Sequence, residues 1–524
     1  MTDSVRRSTR SAVAALLLSL VCPALAAAAA GASHAPAVAS RPGAPKPQAR
    51  SEARRPSGLP ALPPDHTTEH QLKLADGSIL HFTATAGVIR LMNAKNGAPI
   101  ADVAYIAYTK DGTQARKRPV TFVFNGGPGY ASGWLNLGGL GPWRLPMDRG
   151  ADRPSAAPLL NSNPGTWLDF TDLVFIDPPG TGYSRVLGGG EIHKALWSVH
   201  GDIDALATTI RRWVEQNNRM DSPKFIAGES YGGFRAPKIA HELEVDQGVG
   251  VSGLVMISPV LDFGAFNARF SPLSLVAALP SMAAVARSAK GPITRADLAD
   301  VERYAQGQFL SDLLKGVNDK TAVARLSTKV AGLTGLKPAL VRRLDGRVTT
   351  SVFRRAFWRA QGRFASQYDG TVAGFDPTPF AAQSRADDQL RLGLTAPITE
   401  AMVGLYHQKL DWDVVSGRYQ FLNEQVSRDW DWGGGNAEAI SDLRKDLALD
   451  SHFRVLIAQG LTDLVTPYFG TQMLLNQIPN YGPPGRLRFR VYPGGHMVYI
   501  RKAARQALHD DARALMTGTA AAGQ

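Results

Sequence analysis

The segment Gly228-Glu229-Ser230-Tyr231-Gly232 places a serine midway between two glycines. This spacing is typical of a sharp strand-to-helix turn, because small residues on either side let a strained backbone close and expose the hydroxyl. An apolar run, Lys224 to Ala227, precedes the turn, and Phe234 to Val245 follows it with apolar residues at helical spacing. The pattern predicts that Ser230 is a nucleophile at the end of a strand.

An activated serine needs a base within hydrogen-bond reach and an acid that orients the base. His496 follows the last apolar β run, in a Gly-rich loop, and Asp463 follows the preceding β run. The chain order Ser230, Asp463, His496, with each residue just past a strand, is that of the α/β-hydrolases. These three residues are therefore the predicted catalytic triad.

A second Gly-rich segment, Asn125-Gly126-Gly127-Pro128-Gly129, directly follows the apolar run Phe122 to Phe124. Acyl transfer needs backbone N–H groups aimed at the negative charge that develops on the substrate oxygen. Tyr231, the residue after the nucleophile, offers one such group, and the Gly-rich loop offers the other. The same glycines also suit a tight turn with positive φ, and the two roles are compatible.

Four segments, which run from about residue 120 to 500, together resemble the serine carboxypeptidase family of α/β-hydrolases. They are Asn125-Gly126-Gly127-Pro128-Gly129, Asp177-Pro178-Pro179-Gly180-Thr181-Gly182-Tyr183-Ser184, Gly228-Glu229-Ser230-Tyr231-Gly232-Gly233 and Gly495-His496-Met497-Val498. The resemblance implies release of C-terminal residues from peptides through an acyl-enzyme, often best at acid pH. Ser230 would be the nucleophile, His496 the base and Asp463 its orienter, with oxyanion N–H groups from Gly127 and Tyr231.

The resemblance also implies that Asn125, Gly126 and Glu229 hold the terminal carboxylate of the substrate. A glutamate beside a bound carboxylate forms a like-charge pair, so Glu229 would bind substrate best when protonated. The alternative is that Glu229 only braces the turn through hydrogen bonds. The segment that begins at Asp177 is interpreted as a structural turn.

The chain departs from the family pattern at four places. Val123 stands where the family usually has Trp, and Tyr130 replaces a Cys, so the disulfide of that Cys is absent. Gly139 occupies the place of a second Glu, and Tyr499 replaces a Pro after the histidine. The carboxylate clamp is therefore half present, and hydrolysis is better supported than exopeptidase specificity.

We hypothesise that a basic residue near the cleft partly replaces the missing half of the clamp. Arg144 is the first candidate and Arg235 the second. A fixed guanidinium can bind a carboxylate in a bidentate manner without acid pH. The alternative is that Arg144 is an ordinary surface arginine.

Composition excludes several other classes. The net charge of +13 comes from scattered Lys and Arg without interleaved aromatics, so we expect no nucleic-acid partner. The histidines and carboxylates show no ligand spacing, and no dinucleotide or phosphate-binding fingerprint occurs, so no metal and no cofactor are expected. The only cysteine is Cys22, which excludes disulfides and a thiol nucleophile in a processed chain.

The N-terminus reads as an export signal at residues 1–26. Basic residues precede an apolar run, Ser11 to Leu20, and Ala24-Leu25-Ala26 fits a cleavage site. The run is too short for a comfortable membrane span, so we expect a periplasmic or secreted protein without a stable membrane anchor. The oligomeric state stays open.

The sequence pattern after residue 26 predicts four further segments. Residues 27–66 read as a disordered Ala/Pro-rich linker. Residues 67–262 and 450–524 alternate apolar β runs with helices, which predicts an α/β fold with a mainly parallel central sheet and helices on both faces. Residues 263–449 read as a helical insertion, with Asp297 to Leu314 and Pro338 to Arg363 as its clearest helices. This insertion is a cap over the site or, alternatively, a structural subdomain away from it.

Three functions compete. A serine-type carboxypeptidase that acts on peptides with a free C-terminus is the first. An esterase or acyltransferase with the same triad is the second, favoured by the incomplete clamp. A non-catalytic binding protein is the third, and the intact triad argues against it.

Overall fold

The computed structural model describes residues 60–114, 116–147, 153–155, 157–267, 270–381, 387–415 and 417–518. The predicted export signal, Cys22 and residues 27–59 of the predicted linker lie outside these ranges. The strands of the described ranges, in chain order, are β1 (His66–Lys73), β2 (Ile79–Met92), β3 (Pro99–Lys110), β4 (Val120–Phe124), β5 (Trp143–Arg144), β6 (Asn161–Ser162), β7 (Asp172–Ile176), β8 (Arg185–Val186), β9 (Lys224–Glu229), β10 (Gly253–Ile257), β11 (Arg363–Ala365), β12 (Ala373–Phe375), β13 (Arg454–Gly460) and β14 (Leu487–Tyr492).

One sheet has the strand order β1-β2-β3-β7-β4-β9-β10-β13-β14, with β8 paired to β3. The six strands β7-β4-β9-β10-β13-β14 run parallel to one another, and β3, β2 and β1 add an antiparallel edge beside β7. Parallel strands end at the same edge of the sheet, so the residues that follow β4, β9, β13 and β14 meet there. The predicted α/β fold with a mainly parallel central sheet is confirmed.

The central strands are apolar on both faces because both faces are covered. Phe122 and Phe124 of β4 belong to the hydrophobic core on one side, whereas Val123 between them belongs to the core on the other. Strand residues alternate in direction, so this pattern requires helices on both sides.

The α-helices of the described ranges, in chain order, are α1 (Gly133–Leu135), α2 (Gly190–Leu196), α3 (Val199–Gln216), α4 (Tyr231–Val245), α5 (Phe263–Asn267), α6 (Leu273–Ser288), α7 (Ala299–Tyr304), α8 (Leu310–Lys315), α9 (Lys320–Thr334), α10 (Pro338–Arg343), α11 (Thr350–Phe357), α12 (Gln389–Gln408), α13 (Glu424–Arg428), α14 (Ile440–Leu449), α15 (Tyr468–Leu475) and α16 (Lys502–Thr517). Within the described ranges, no helix has both the length and the apolar character that a membrane crossing would need.

The structure differs from the sequence-based expectation at two places. The predicted helix Pro338 to Arg363 is divided into α10 and α11, because Asp345 and Gly346 adopt positive φ angles of 50° and 74°. The fold also begins before residue 67: the Pro64 carbonyl accepts a 2.9 Å hydrogen bond from Trp412 Nε1, and β1 starts at His66. The last residues of the predicted linker are therefore part of the fold.

The helical segment has a hydrophobic core of its own that is continuous with the loop after β13. Val276, Leu279 and Leu326 of this segment share one buried cluster with Leu461 and Tyr468. The segment is therefore packed against the same end of the sheet at which the predicted site residues emerge.

Candidate active site

Ser230 lies between the end of β9 and the start of α4, with φ 60° and ψ −119°. This conformation is strained for a residue with a side chain and is the one expected of a nucleophile elbow. The flanking glycines are sterically required. A Cβ on Gly228 would lie 2.0 Å from the Gly232 carbonyl oxygen, and a Cβ on Gly232 would lie 2.6 Å from the Phe124 carbonyl oxygen.

His496 and Asp463 come together at the ends of β14 and β13. The His496 Nδ1 atom lies 2.8 Å from Asp463 Oδ2, and both side chains are buried. The other oxygen of Asp463 accepts the backbone N–H groups of Val465 and Thr466 at 2.8 and 3.0 Å. The carboxylate is thereby fixed, and its contact to Nδ1 leaves Nε2 of His496 as the nitrogen available to a substrate or nucleophile.

The environment makes His496 more basic than an ordinary histidine. Burial alone would lower its pKa, but the charge and hydrogen bond of Asp463, assisted by the charge of Glu229, raise the pKa above 6.5. A base with a raised pKa accepts a proton from a nucleophile more readily.

Ser230 and His496 line the same cleft, whose volume is about 620 Å³. Within the described residues, the Ser230 hydroxyl makes no hydrogen bond to His496. Such contacts are often loose without substrate and tighten in the substrate complex. The residues around the cleft are Asn125, Gly126, Gly127, Tyr130, Trp134, Glu229, Ser230, Arg354, Gln367, Tyr368, Asp387, Asp388, Arg391, Leu422, Glu424, Ser427, Arg428, Val465, His496 and Met497.

The Gly-rich loop after β4 lies directly against the elbow. A Cβ on Gly126 would be 2.6 Å from the Tyr231 nitrogen and 3.0 Å from the Ser230 Cβ. Gly127 follows with φ 115°, a conformation that favours glycine. The two residues predicted to supply oxyanion N–H groups, Gly127 and Tyr231, are thus on segments in contact beside Ser230.

Glu229 and Asn125 form a buried pair at the floor of the cleft. Asn125 Nδ2 donates a 2.9 Å hydrogen bond to Glu229 Oε2, and Asn125 Oδ1 accepts the Leu135 N–H at 3.0 Å. The Tyr499 hydroxyl donates a second hydrogen bond, of 2.5 Å, to the same Oε2 atom. Burial is the main reason that the pKa of Glu229 is raised, to about 7, and the positive charge on His496 and these two hydrogen bonds reduce the shift.

The two arginines proposed from the sequence to replace the clamp lie elsewhere. Arg235 is buried and forms an ion pair with Asp202, with Nε 2.6 Å from Oδ2, while its Nη1 donates to the Asn125 carbonyl at 2.7 Å. It therefore braces the Gly-rich loop from behind. Arg144 belongs to the short strand β5, paired with Asn161, and is not among the described residues that line the cleft.

Sequence reasoning missed the side chains that the helical segment brings to the cleft. Arg354, Tyr368 and Arg391 line it, and the Tyr368 carbonyl accepts the His496 N–H at 2.6 Å. No local motif marks these residues, since only the packing of the segment on the sheet places them there. The segment that begins at Asp177 forms a turn, in which the Thr181 N–H donates to the Pro178 carbonyl at 2.9 Å, and the buried Asp177 carboxylate accepts the Ser132 N–H at 2.8 Å.

Comparison with known proteins gives consistent results. Residues 99–262 match the family model of serine carboxypeptidase. Serine carboxypeptidase-like 20 of Arabidopsis thaliana is 22% identical over 395 residues, which cover 68% of this chain and 71% of that protein. The pheromone-processing carboxypeptidase KEX1 of Yarrowia lipolytica is 32% identical over 181 residues, or 34% of this chain, and the match spans only 27% of that longer protein.

The crystal structure of the Saccharomyces cerevisiae prohormone-processing carboxypeptidase KEX1(delta)p has the same fold. It superimposes with a TM-score of 0.53 at 16% identity and covers 83% of this chain and 90% of that chain. The sheet topology, the matching residues and these likenesses agree: residues 99–262 match the serine carboxypeptidase family, and the chain has the α/β-hydrolase fold.

Proposed function

We propose that this protein releases C-terminal residues from peptides through a covalent acyl-enzyme on Ser230. One observation carries the proposal: the strained elbow serine shares a cleft with the buried His496–Asp463 pair and with the Asn125–Glu229 pair. The first pair supplies the base that a serine nucleophile needs, and the second offers a site for a terminal carboxylate.

In the reaction, the Ser230 hydroxyl attacks the carbonyl carbon of the last peptide bond while its proton passes to His496 Nε2. The N–H groups of Gly127 and Tyr231 receive the oxyanion that forms. His496 then gives the proton to the leaving amine, and the C–N bond breaks. A water molecule, deprotonated by His496, attacks the acyl carbon; the ester bond to Ser230 then breaks, and His496 returns the proton to the Ser230 oxygen.

The leaving residue is held through its carboxylate by Asn125, Gly126 and Glu229. A buried carboxylate beside a substrate carboxylate would repel it, so Glu229 binds in its protonated form. The raised pKa of Glu229, about 7, keeps this form populated near neutral pH.

The helical segment at residues 263–449 acts as the cap of the site, because its side chains Arg354, Tyr368 and Arg391 form part of the cleft wall. Residues 1–26 direct export, and the substrates are peptides met in the periplasm or outside the cell. These assignments extend the likeness to the family and follow from the sequence features described above.

An esterase or acyltransferase is the second candidate, and Gly139 favours it because a second clamp carboxyl is missing. The test compares N-blocked dipeptides with N-blocked amino-acid esters of the same acyl group, with Ser230→Ala as control. Release of the terminal residue that disappears in Ser230→Ala supports the carboxypeptidase. Cleavage of the ester without any release from dipeptides selects the second candidate.

A further inference from the structure

The resemblance to the family implies a second clamp glutamate at position 139, and this chain has no side chain there. Position 139 is a glycine, and a Cβ there would lie 2.6 Å from Arg505 Cδ and 3.7 Å from Tyr499 Cβ. Arg505 in turn donates a 2.9 Å hydrogen bond to the Tyr499 carbonyl. The Tyr499 ring is fully buried and reaches Glu229 from this side.

The hydrogen bonds of Glu229 are distributed unequally between its two oxygens. Oε2 accepts both the Tyr499 hydroxyl, at 2.5 Å, and the Asn125 amide, at 2.9 Å. Within the described residues, no donor bonds to Oε1. This oxygen keeps some solvent exposure, so it faces the cleft that Glu229 lines. An oxygen that already accepts two hydrogen bonds is a poor place for the acid proton.

We propose that Tyr499 is a positioning residue that takes the place of the second clamp acid. Its hydroxyl, together with Asn125, holds Glu229 Oε2 as an acceptor, so that the acid proton of Glu229 sits on Oε1 and is donated to the terminal carboxylate of the substrate. The inference rests on the proposed carboxypeptidase function.

A phenol differs from a second carboxylic acid in how it titrates. Burial and the neighbouring Glu229 raise the pKa of Tyr499 well above its usual range, so the hydroxyl remains a donor throughout the working range of pH. Glu229 is then the one clamp group that titrates. The titratable side chains that face it are His496, Asp463, Tyr130, Tyr368 and Tyr499.

The test uses Tyr499→Phe, which removes only the hydroxyl, and Tyr468→Phe as the matched control. The Tyr468 hydroxyl also donates to a glutamate, Glu302 Oε1 at 2.9 Å, and its ring is equally buried but outside the cleft. KM is measured across pH for an N-blocked dipeptide and for the corresponding ester without a terminal carboxylate.

In Tyr499→Phe we expect the ratio of dipeptide KM to ester KM to rise about tenfold, the size of one lost hydrogen bond to a charged group. The pH at which dipeptide KM begins to rise should also move upward, because the Tyr499 hydrogen bond lowers the pKa of Glu229. Tyr468→Phe should keep the ratio and the pH profile of the unaltered protein.

A second variant keeps the test decisive if Tyr499→Phe folds poorly. In Glu229→Gln the amide oxygen can accept from Tyr499 and Asn125, which leaves the NH₂ group facing the substrate carboxylate. Dipeptide KM should then lose its dependence on pH while binding persists.

Three results would overturn the inference. They are an unchanged KM ratio and pH profile in a folded Tyr499→Phe, equal losses on dipeptide and ester, or loss of dipeptide binding at every pH in Glu229→Gln. An unaltered protein that cleaves the ester but no dipeptide would instead refute the carboxypeptidase itself, and this inference with it.

Discussion

A Cβ atom on Gly138 would lie 2.3 Å from Cε2 of the Tyr499 ring, so the absence of a side chain at position 138 admits that ring beside Glu229. The ring is fully buried and cannot swing aside. The two positions are therefore sterically complementary, and the hydrogen bond from Tyr499 to Glu229 depends on both.

Gly138→Ala should displace the Tyr499 ring and disturb Glu229. We expect a loss of stability of about 1–3 kcal/mol from overpacking, with a raised KM for dipeptides. Urea unfolding and dipeptide kinetics measure the two effects. Gly404→Ala is the control, because a Cβ there meets nothing within 4 Å in the middle of α12, and it should be neutral or stabilising. Equal behaviour of the two variants would contradict the complementarity.

Dipeptides and esters should differ in how kcat/KM depends on pH. Both need neutral His496, so both activities fall as pH drops through its raised pKa. Only the dipeptide needs protonated Glu229, whose pKa of about 7 predicts a second fall as pH rises above neutrality. Since the charges of His496 and Glu229 interact, the apparent pKa value at each side of the dipeptide profile describes the two residues together. Identical profiles for the two substrates would refute a carboxylate-binding role of Glu229.

The local motifs of the sequence were sufficient to predict the central sheet and to place Ser230, Asp463 and His496 after the ends of its strands. Each of these three residues follows a strand end, where neighbouring residues determine the geometry. The positions of Tyr368 and Arg391 in the cleft could not be predicted. They result from the packing of the helical segment on the sheet, and no sequence motif marks that packing. The separation of α10 and α11 was missed because Asp345-Gly346 is a turn signal inside an otherwise helical pattern.

Arg391 lines the cleft and, within the described residues, forms only long ion pairs with neighbouring carboxylates. Its side chain is 20% exposed and its ion pairs are long, 3.4 Å to Asp387 and 3.8 Å to Glu424. Arg391→Ala should lower kcat/KM for dipeptides with an acidic leaving residue about threefold to tenfold relative to those with leucine. The control is Arg287→Ala, since Arg287 is an ion-paired arginine of the same helical segment and is not among the described residues that line the cleft. Equal losses on acidic and apolar leaving residues would argue against direct contact.

Arg235 should matter for stability through its buried pair with Asp202. Removal of one partner of a buried ion pair leaves an uncompensated charge, so Arg235→Leu should lower the free energy of unfolding by about 3–5 kcal/mol. The control, Arg211→Leu, breaks a partly exposed pair with Glu215 on α3 and should cost less than about 1 kcal/mol. Urea unfolding distinguishes the two variants. If both lose less than about 1 kcal/mol of unfolding free energy, Arg235 is not needed to stabilise the buried Asp202 charge.

The most direct test of the central claim is mass spectrometry of a longer N-blocked peptide after incubation with the protein and with Ser230→Ala. We predict a ladder of products shortened one residue at a time from the free C-terminus. A C-terminally amidated copy should be trimmed poorly, and Ser230→Ala should give no ladder. Internal cleavage, equal trimming of the amidated peptide, or a ladder that persists in Ser230→Ala would contradict a serine carboxypeptidase that acts through Ser230.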